Sequence, residues 1–200
     1  FRSQSNSLDI VEAFQHRYIS AINYQLNHML ANSTSSGASN GEEVRSLLRY
    51  HLGWEEANGT PANKNQGKSL RSALCLLACE ITQGTWKSAI PAAVSLELIH
   101  NFSLIHDDVQ DKDTTRRGRS TVWSIWGIPK AIIAGNTMRV LADQSLSNLS
   151  FAGLNPELTL RAVSMLTKRY TEMIEGQYLD MSFEQFNSIT IENYLGMIER

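Results

Sequence analysis

The sequence predicts an all-α protein, an antiparallel helical bundle around a central cavity. Three observations point there. Apolar residues recur at helical spacing along the 200-residue chain, first at Leu8, Val11, Phe14, Tyr18, Ile22, Leu26 and Met29 or Leu30. Runs of Val, Ile and Thr are short and interrupted, so no stretch alternates as a half-buried strand does. Gly, Pro, Asn and Ser gather between the apolar stretches, as loops require. About eight helical segments of this kind pack as a bundle whose cavity is built from facing side chains.

Taken in order, residues 7–31 form the first helix, and 32–41, N-S-T-S-S-G-A-S-N-G, form a polar, flexible loop. Residues 42–52 give a shorter helix and 53–66, with Gly59 and Pro61, a second loop. Residues 70–81 are an apolar helix opened by G-K-S-L-R at 67–71. A long apolar helix spans 86–105, with Pro91 tolerated in its first turns. Thr121 is placed to cap a short helix at 122–126, Gly127 to Pro129 break the chain, and 131–149 is helical again. Asn155-Pro156 starts a helix running toward Met181, with Asn as cap and Pro at the first position. Thr190 opens a last helix. The length suits a single domain, 1–200, with a sizeable core.

The chemistry concentrates in residues 98–119, L-I-H-N-F-S-L-I-H-D-D-V-Q-D-K-D-T-T-R-R-G-R. On a helix, His100, Asp107 and Asp111 fall within about 40° of one another. Two acids one turn apart repel unless a cation lies between them. Oxygen ligands without a nearby thiolate favour Mg²⁺, which completes its shell with water and substrate phosphate. Arg116, Arg117 and Arg119 follow, and guanidinium groups match phosphate oxygens. The residues alone suggest a Mg²⁺-dependent diphosphate site. An acidic helix end followed by bases is also a common solvated face, and His100 alone reads as a core histidine. Lys68 and Arg71, at the start of the 70–81 helix, suit a second anion or, equally, a solvated surface.

H-N-F-S-L-I-H-D-D-V-Q-D followed by T-R-R-G-R-S-T-V-W resembles the first aspartate-rich motif of the trans-isoprenyl diphosphate synthases, or polyprenyl synthetases. The resemblance runs from about Glu42 to Arg200 and implies an isoprenoid synthase-type fold. It implies a prenyltransferase that condenses isopentenyl diphosphate with an allylic prenyl diphosphate into a longer linear product, geranylgeranyl or farnesyl diphosphate. By resemblance Asp107 and Asp111 bind Mg²⁺, Asp108 supports them, and Arg116 meets the allylic diphosphate. Lys68, Arg71, His100 and Arg117 would hold isopentenyl diphosphate, and Gln177, in G-Q-Y-L-D, would face the metal–diphosphate cluster with Asp180. Phe102 and Ser103, just upstream of the first Asp, would set chain length. A homodimer is implied as well. The chain departs from the family at Ser69, Ser72 and Asn136, where Arg, Pro and often Asp are usual. The family's second aspartate-rich motif is not within the 200 residues, so the chain is expected to be a fragment, to end early in its ordered part, or to have lost the family's C-terminal half. Two other readings stay open. One is a terpene cyclase that ionises a prenyl diphosphate without isopentenyl diphosphate. The other is a non-catalytic subunit of a heteromeric synthase.

A net charge of −2 gives no electrostatic case for a nucleic-acid partner. No apolar run is expected to reach the length of a membrane span. Cys75 and Cys79 are four apart in an apolar helix, which is not a zinc spacing. They read as buried thiols of a reducing, cytoplasmic compartment.

Overall fold

A computed structural model of the chain describes residues 3–32, 39–62, 67–186 and 188–200. Its elements are α1 Ser3–Asn32, α2 Ser39–His51, α3 Leu70–Ile81, a 3-10 turn Trp86–Ala89, α4 Ile90–Gln110, β1 Thr115–Arg116, β2 Arg119–Ser120, α5 Val122–Trp126, α6 Ile128–Ser147, α7 Pro156–Phe183 and α8 Ile191–Ile198. They fall into two compact units, Phe1–Gly153 and Leu154–Arg200.

In the first unit α1 buries Tyr18, Ile22, Leu26 and Leu30. The side chains of Leu8, Val11 and Phe14 lie outside those described. Each such burial is worth about 1.5–3 kcal/mol over exposure. α4 is the central helix. It packs on α6, on α3 and on α1, and buries Val94, Leu98, Phe102 and Ile105. The α4–α6 contact is close because α6 carries Ala131, Ala134 and Gly135 there, all buried. A Cβ on Gly135 would lie 2.4 Å from His106 Nε2, so this glycine is where α6 makes room for the His106 ring. That ring in turn meets Phe102 edge-on, centroids 4.6 Å apart.

Several sequence expectations need correction. α2 begins at Ser39, three residues into what reads as loop, while 33–38 lie outside the described residues, as do 63–66. The long helix does not begin at Trp86, since a 3-10 turn precedes α4, and it runs on through the acids to Gln110. Pro129 does not break the chain but sits in the first turn of α6, which needs no N–H there. Thr121 makes no side-chain cap; its hydroxyl donates to the Asp113 carbonyl at 2.8 Å. An antiparallel pair, β1 and β2, is present where no strand is expected. Trp86–Gln110 is, contrary to the sequence reading, long and apolar enough by length and composition to cross a membrane. Its apolar character fits a core helix, since 56% of its most apolar 18-residue window is buried by the protein's own packing.

In the second unit Asn155 caps α7, its side chain accepting from the Glu157 N–H at 2.8 Å. Thr190 caps α8 likewise, accepting from Asn193 N–H. Gly176 of α7 is buried where a Cβ would lie 3.1 Å from the Met197 carbonyl of α8.

Candidate active site

The acids ride on the end of α4. Asp107 and Asp111 are one turn apart, and the Asp111 N–H donates to the Asp107 carbonyl at 2.8 Å. Asp107 is half-buried and Asp111 exposed, on the same side as half-buried His100, Ser103 and Leu104. Asp108 behaves differently. It is 1% exposed and accepts from Arg116 Nε at 2.6 Å. Burial pushes its carboxyl up and the Arg116 hydrogen bond pulls it back. Asp108 therefore works by fixing Arg116, not by facing outward beside Asp107.

α4 stops at Asp111, and Lys112 takes a left-handed conformation, φ 58°, which ends a helix sharply. The chain then turns back through the β1–β2 pair. Arg117 and Gly118 are its two central residues, at φ 53° and 74°. Two left-handed residues between paired strands are what a tight type I′ hairpin requires. The hairpin is clasped from α2. Tyr50 Oη donates to the Ser120 carbonyl at 2.7 Å. Arg119 donates to the Tyr50 and Glu55 carbonyls at 2.9 and 2.6 Å and stacks 4.2 Å from the Tyr50 ring centre. Arg119 is thus a structural brace and leaves phosphate to its neighbours. Trp123 also braces, donating Nε1 to the Asp113 carbonyl, and Trp126 packs edge-on against Tyr50.

The hairpin delivers Arg117 to a cavity of about 530 Å³ lined by Gly67, Lys68, Arg71, Glu97, His100 and Arg117, with Ser69 and Leu70. The four cationic or basic residues expected from sequence to act together are together. Arg71 Nη1 lies 3.4 Å from His100 Nε2. Burial first, then Arg71, lowers the His100 pKa, so the imidazole is neutral and accepts from Arg71. The Arg117 guanidinium lies against Gly67, where a Cβ would meet Nη1 at 3.0 Å and Nη2 at 3.2 Å.

Sequence reasoning missed what lies beneath. Ser69 is left-handed, φ 45°, at the start of α3. Ser72, where the family has Pro, is fully buried and donates Oγ to Glu97 Oε2 at 2.6 Å. Glu97, 5% exposed, also accepts from Asn101 Nδ2 at its carbonyl, 2.8 Å, and its carboxylate, 3.3 Å. His51 is a polar neighbour of Asn101. The only sequence signal was two polar residues, four apart, inside the apolar stretch of α4.

Phe102 is buried against His106, whereas Ser103 is half-buried on the side of the acids, its hydroxyl donating to the His100 carbonyl. Gln177, half-buried, and Asp180, exposed, lie on α7 in the second unit. Asn136 is exposed on α6. Among the described residues no three His, Cys, Asp or Glu side chains are grouped to hold a metal ion. Two outward carboxylates one turn apart nonetheless fit Mg²⁺, which commonly takes one or two carboxylates and fills its shell from water and substrate phosphate.

A model of the polyprenyl synthetase family matches residues 57–200. A (2E,6E)-farnesyl diphosphate synthase of Mycobacterium tuberculosis is 42% identical over 156 residues, 78% of this chain and 42% of that protein. A geranylgeranyl pyrophosphate synthase of Geoglobus acetivorans is 42% identical over 137 residues, 68% of this chain and 42% of that protein. The chain thus spans about two-fifths of the length of these curated relatives. A crystal structure of a polyprenyl synthetase from Streptomyces coelicolor matches with a TM-score of 0.81 at 34% identity, over 94% of this chain and 52% of that one. A geranylgeranyl pyrophosphate synthetase from Pyrococcus horikoshii matches with a TM-score of 0.80 at 30% identity, over 96% and 53%.

Proposed function

The chain belongs to the polyprenyl synthetase family, and from that premise we propose that the protein is a Mg²⁺-dependent prenyltransferase. It joins isopentenyl diphosphate to an allylic diphosphate and releases a longer linear prenyl diphosphate. One observation carries the reading: Lys68, Arg71, His100 and Arg117 line a single cavity. A cyclase, which takes one diphosphate substrate, has no use for a second basic pocket beside the acids.

Lys68, Arg71 and Arg117 neutralise the diphosphate of isopentenyl diphosphate, and His100 keeps Arg71 oriented toward it. Asp107 and Asp111 would hold Mg²⁺. Mg²⁺, when bound, supplies positive charge at the departing diphosphate. Arg116, held by Asp108, adds a fixed charge at the allylic diphosphate, so that charge developing as the C–O bond ionises meets a preorganised partner. Small Ser103, not Phe102, lies on the acid side of α4, one turn before Asp107. That supports a product at the geranylgeranyl end of the range.

The test is substrate omission. The full-length protein is given Mg²⁺ and farnesyl diphosphate with or without isopentenyl diphosphate, and products are identified by mass spectrometry. Geranylgeranyl diphosphate formed only with isopentenyl diphosphate is the expected result. A cyclic hydrocarbon or alcohol formed without it would overturn the proposal in favour of a cyclase.

A further inference from the structure

Arg117 also borders a second, small space of about 20 Å³. His51, Asp108, Arg116, Arg117 and Tyr50 are among its walls. Arg117 lines both spaces, so whatever grips it here sets how it meets a diphosphate there.

His51 is the last residue of α2. Its Nε2 is buried and has no hydrogen-bond partner. Asn101, whose amide hydrogens both go to Glu97, has only its Oδ1 to offer the ring. A buried polar atom left unmet costs about 1–3 kcal/mol. A space must reach only about 10–15 Å³ to hold one water, provided polar groups surround it. This one does, with guanidinium groups on its walls.

We propose that this space is a binding site for one water molecule, which donates to His51 Nε2, accepts from the arginines and fixes Arg117 for the substrate diphosphate. His51 is then a positioning residue that acts through Arg117. The buried chain Ser72–Glu97–Asn101 reaches from the start of α3, with its Lys68 and Arg71, toward His51, which shares the small space with Arg117. Ser72 is part of it, and Pro at that position would have no hydroxyl to give Glu97.

The inference rests on the substrate assignment above only for what Arg117 binds, and two measurements separate the two. A high-resolution crystal structure of the wild-type, full-length protein should show a water within about 3.2 Å of His51 Nε2. Isopentenyl diphosphate is also titrated calorimetrically, without allylic substrate, into wild type, His51→Leu and His51→Gln. His51→Leu should weaken binding about tenfold, as loss of one hydrogen bond would. His51→Gln, whose amide oxygen can accept from the same water, should stay within about threefold. A wild-type map with no water there overturns the proposal, and so does equal affinity in all three proteins or an equal loss in both variants. If His51→Leu fails to fold, the wild-type map and the His51→Gln affinity decide. A protein that binds isopentenyl diphosphate with this His51 dependence yet makes no prenyl product would sink the proposed reaction and leave the water site standing.

Discussion

Arg117 is asked to do two incompatible things. A left-handed backbone, φ 53°, costs a residue with a side chain about 1–2 kcal/mol, and glycine would take it freely. The site keeps arginine there and pays in backbone strain. Gly67 makes the converse choice, giving up a side chain so that the guanidinium can lie against it. Gly67→Ala should therefore push Arg117 aside and raise KM for isopentenyl diphosphate by about tenfold. Stability in urea should move by less than about 0.5 kcal/mol, as at other surface positions. An unchanged KM would show that Arg117 does not depend on that contact. His51 supplies a pH prediction. Burial, then Arg117 and Arg116, lowers its pKa from 6.5 to about 3. Between those values the native state binds fewer protons than the unfolded chain, so stability falls as pH falls. The contribution is complete above pH 6.5 and shrinks toward pH 3, by up to about 1.4 kcal/mol per unit. Urea unfolding from pH 7 down to about 4 should show wild type losing stability relative to His51→Gln as pH falls. Parallel curves would contradict the shifted histidine.

α4 and α6 show how an element's packing reaches the site. Gly135 admits the His106 ring, and His106 adjoins Asp107. In an open helix interior Gly→Ala gains up to about 1 kcal/mol. Here the added methyl meets a ring already packed on Phe102, and overpacking costs about 1–3 kcal/mol. Gly135→Ala should lower the unfolding free energy by that amount in chemical denaturation. A stabilised variant would mean that His106 moves without cost. The helices were the part most open to sequence reading. α3 and α5 match their expected bounds because apolar spacing stops at Ser69, Thr82, Thr121 and Gly127, residues that suit helix ends. α6 was misread at its start because proline looks the same as breaker and as first-turn residue. The hairpin was invisible, since each strand is two residues long and no alternation can show in two. Its turn is Arg-Gly, not the Asn-Gly that signals such a hairpin.

Across the first unit, charge is sorted along one side of α4. The outward acids Asp107 and Asp111 stand at its end, and the basic cavity lies back along the helix around His100. The grouping of Lys68, Arg71, His100 and Arg117 was legible through motif spacing. Its support was not. Glu97, Asn101 and His51 come from two helices and meet only when folded, and Asp108 is separated from Asp107 by burial, which adjacency in sequence hides. The central claim is that the 530 Å³ cavity is where isopentenyl diphosphate places its diphosphate. It is tested most directly by calorimetric titration of that compound, without metal or allylic substrate, into full-length wild type, Lys68→Met and Arg71→Met. The account predicts binding in wild type and a loss of at least about tenfold in each variant, as removal of a charged hydrogen-bond partner entails. Binding that survives both substitutions undiminished would contradict it.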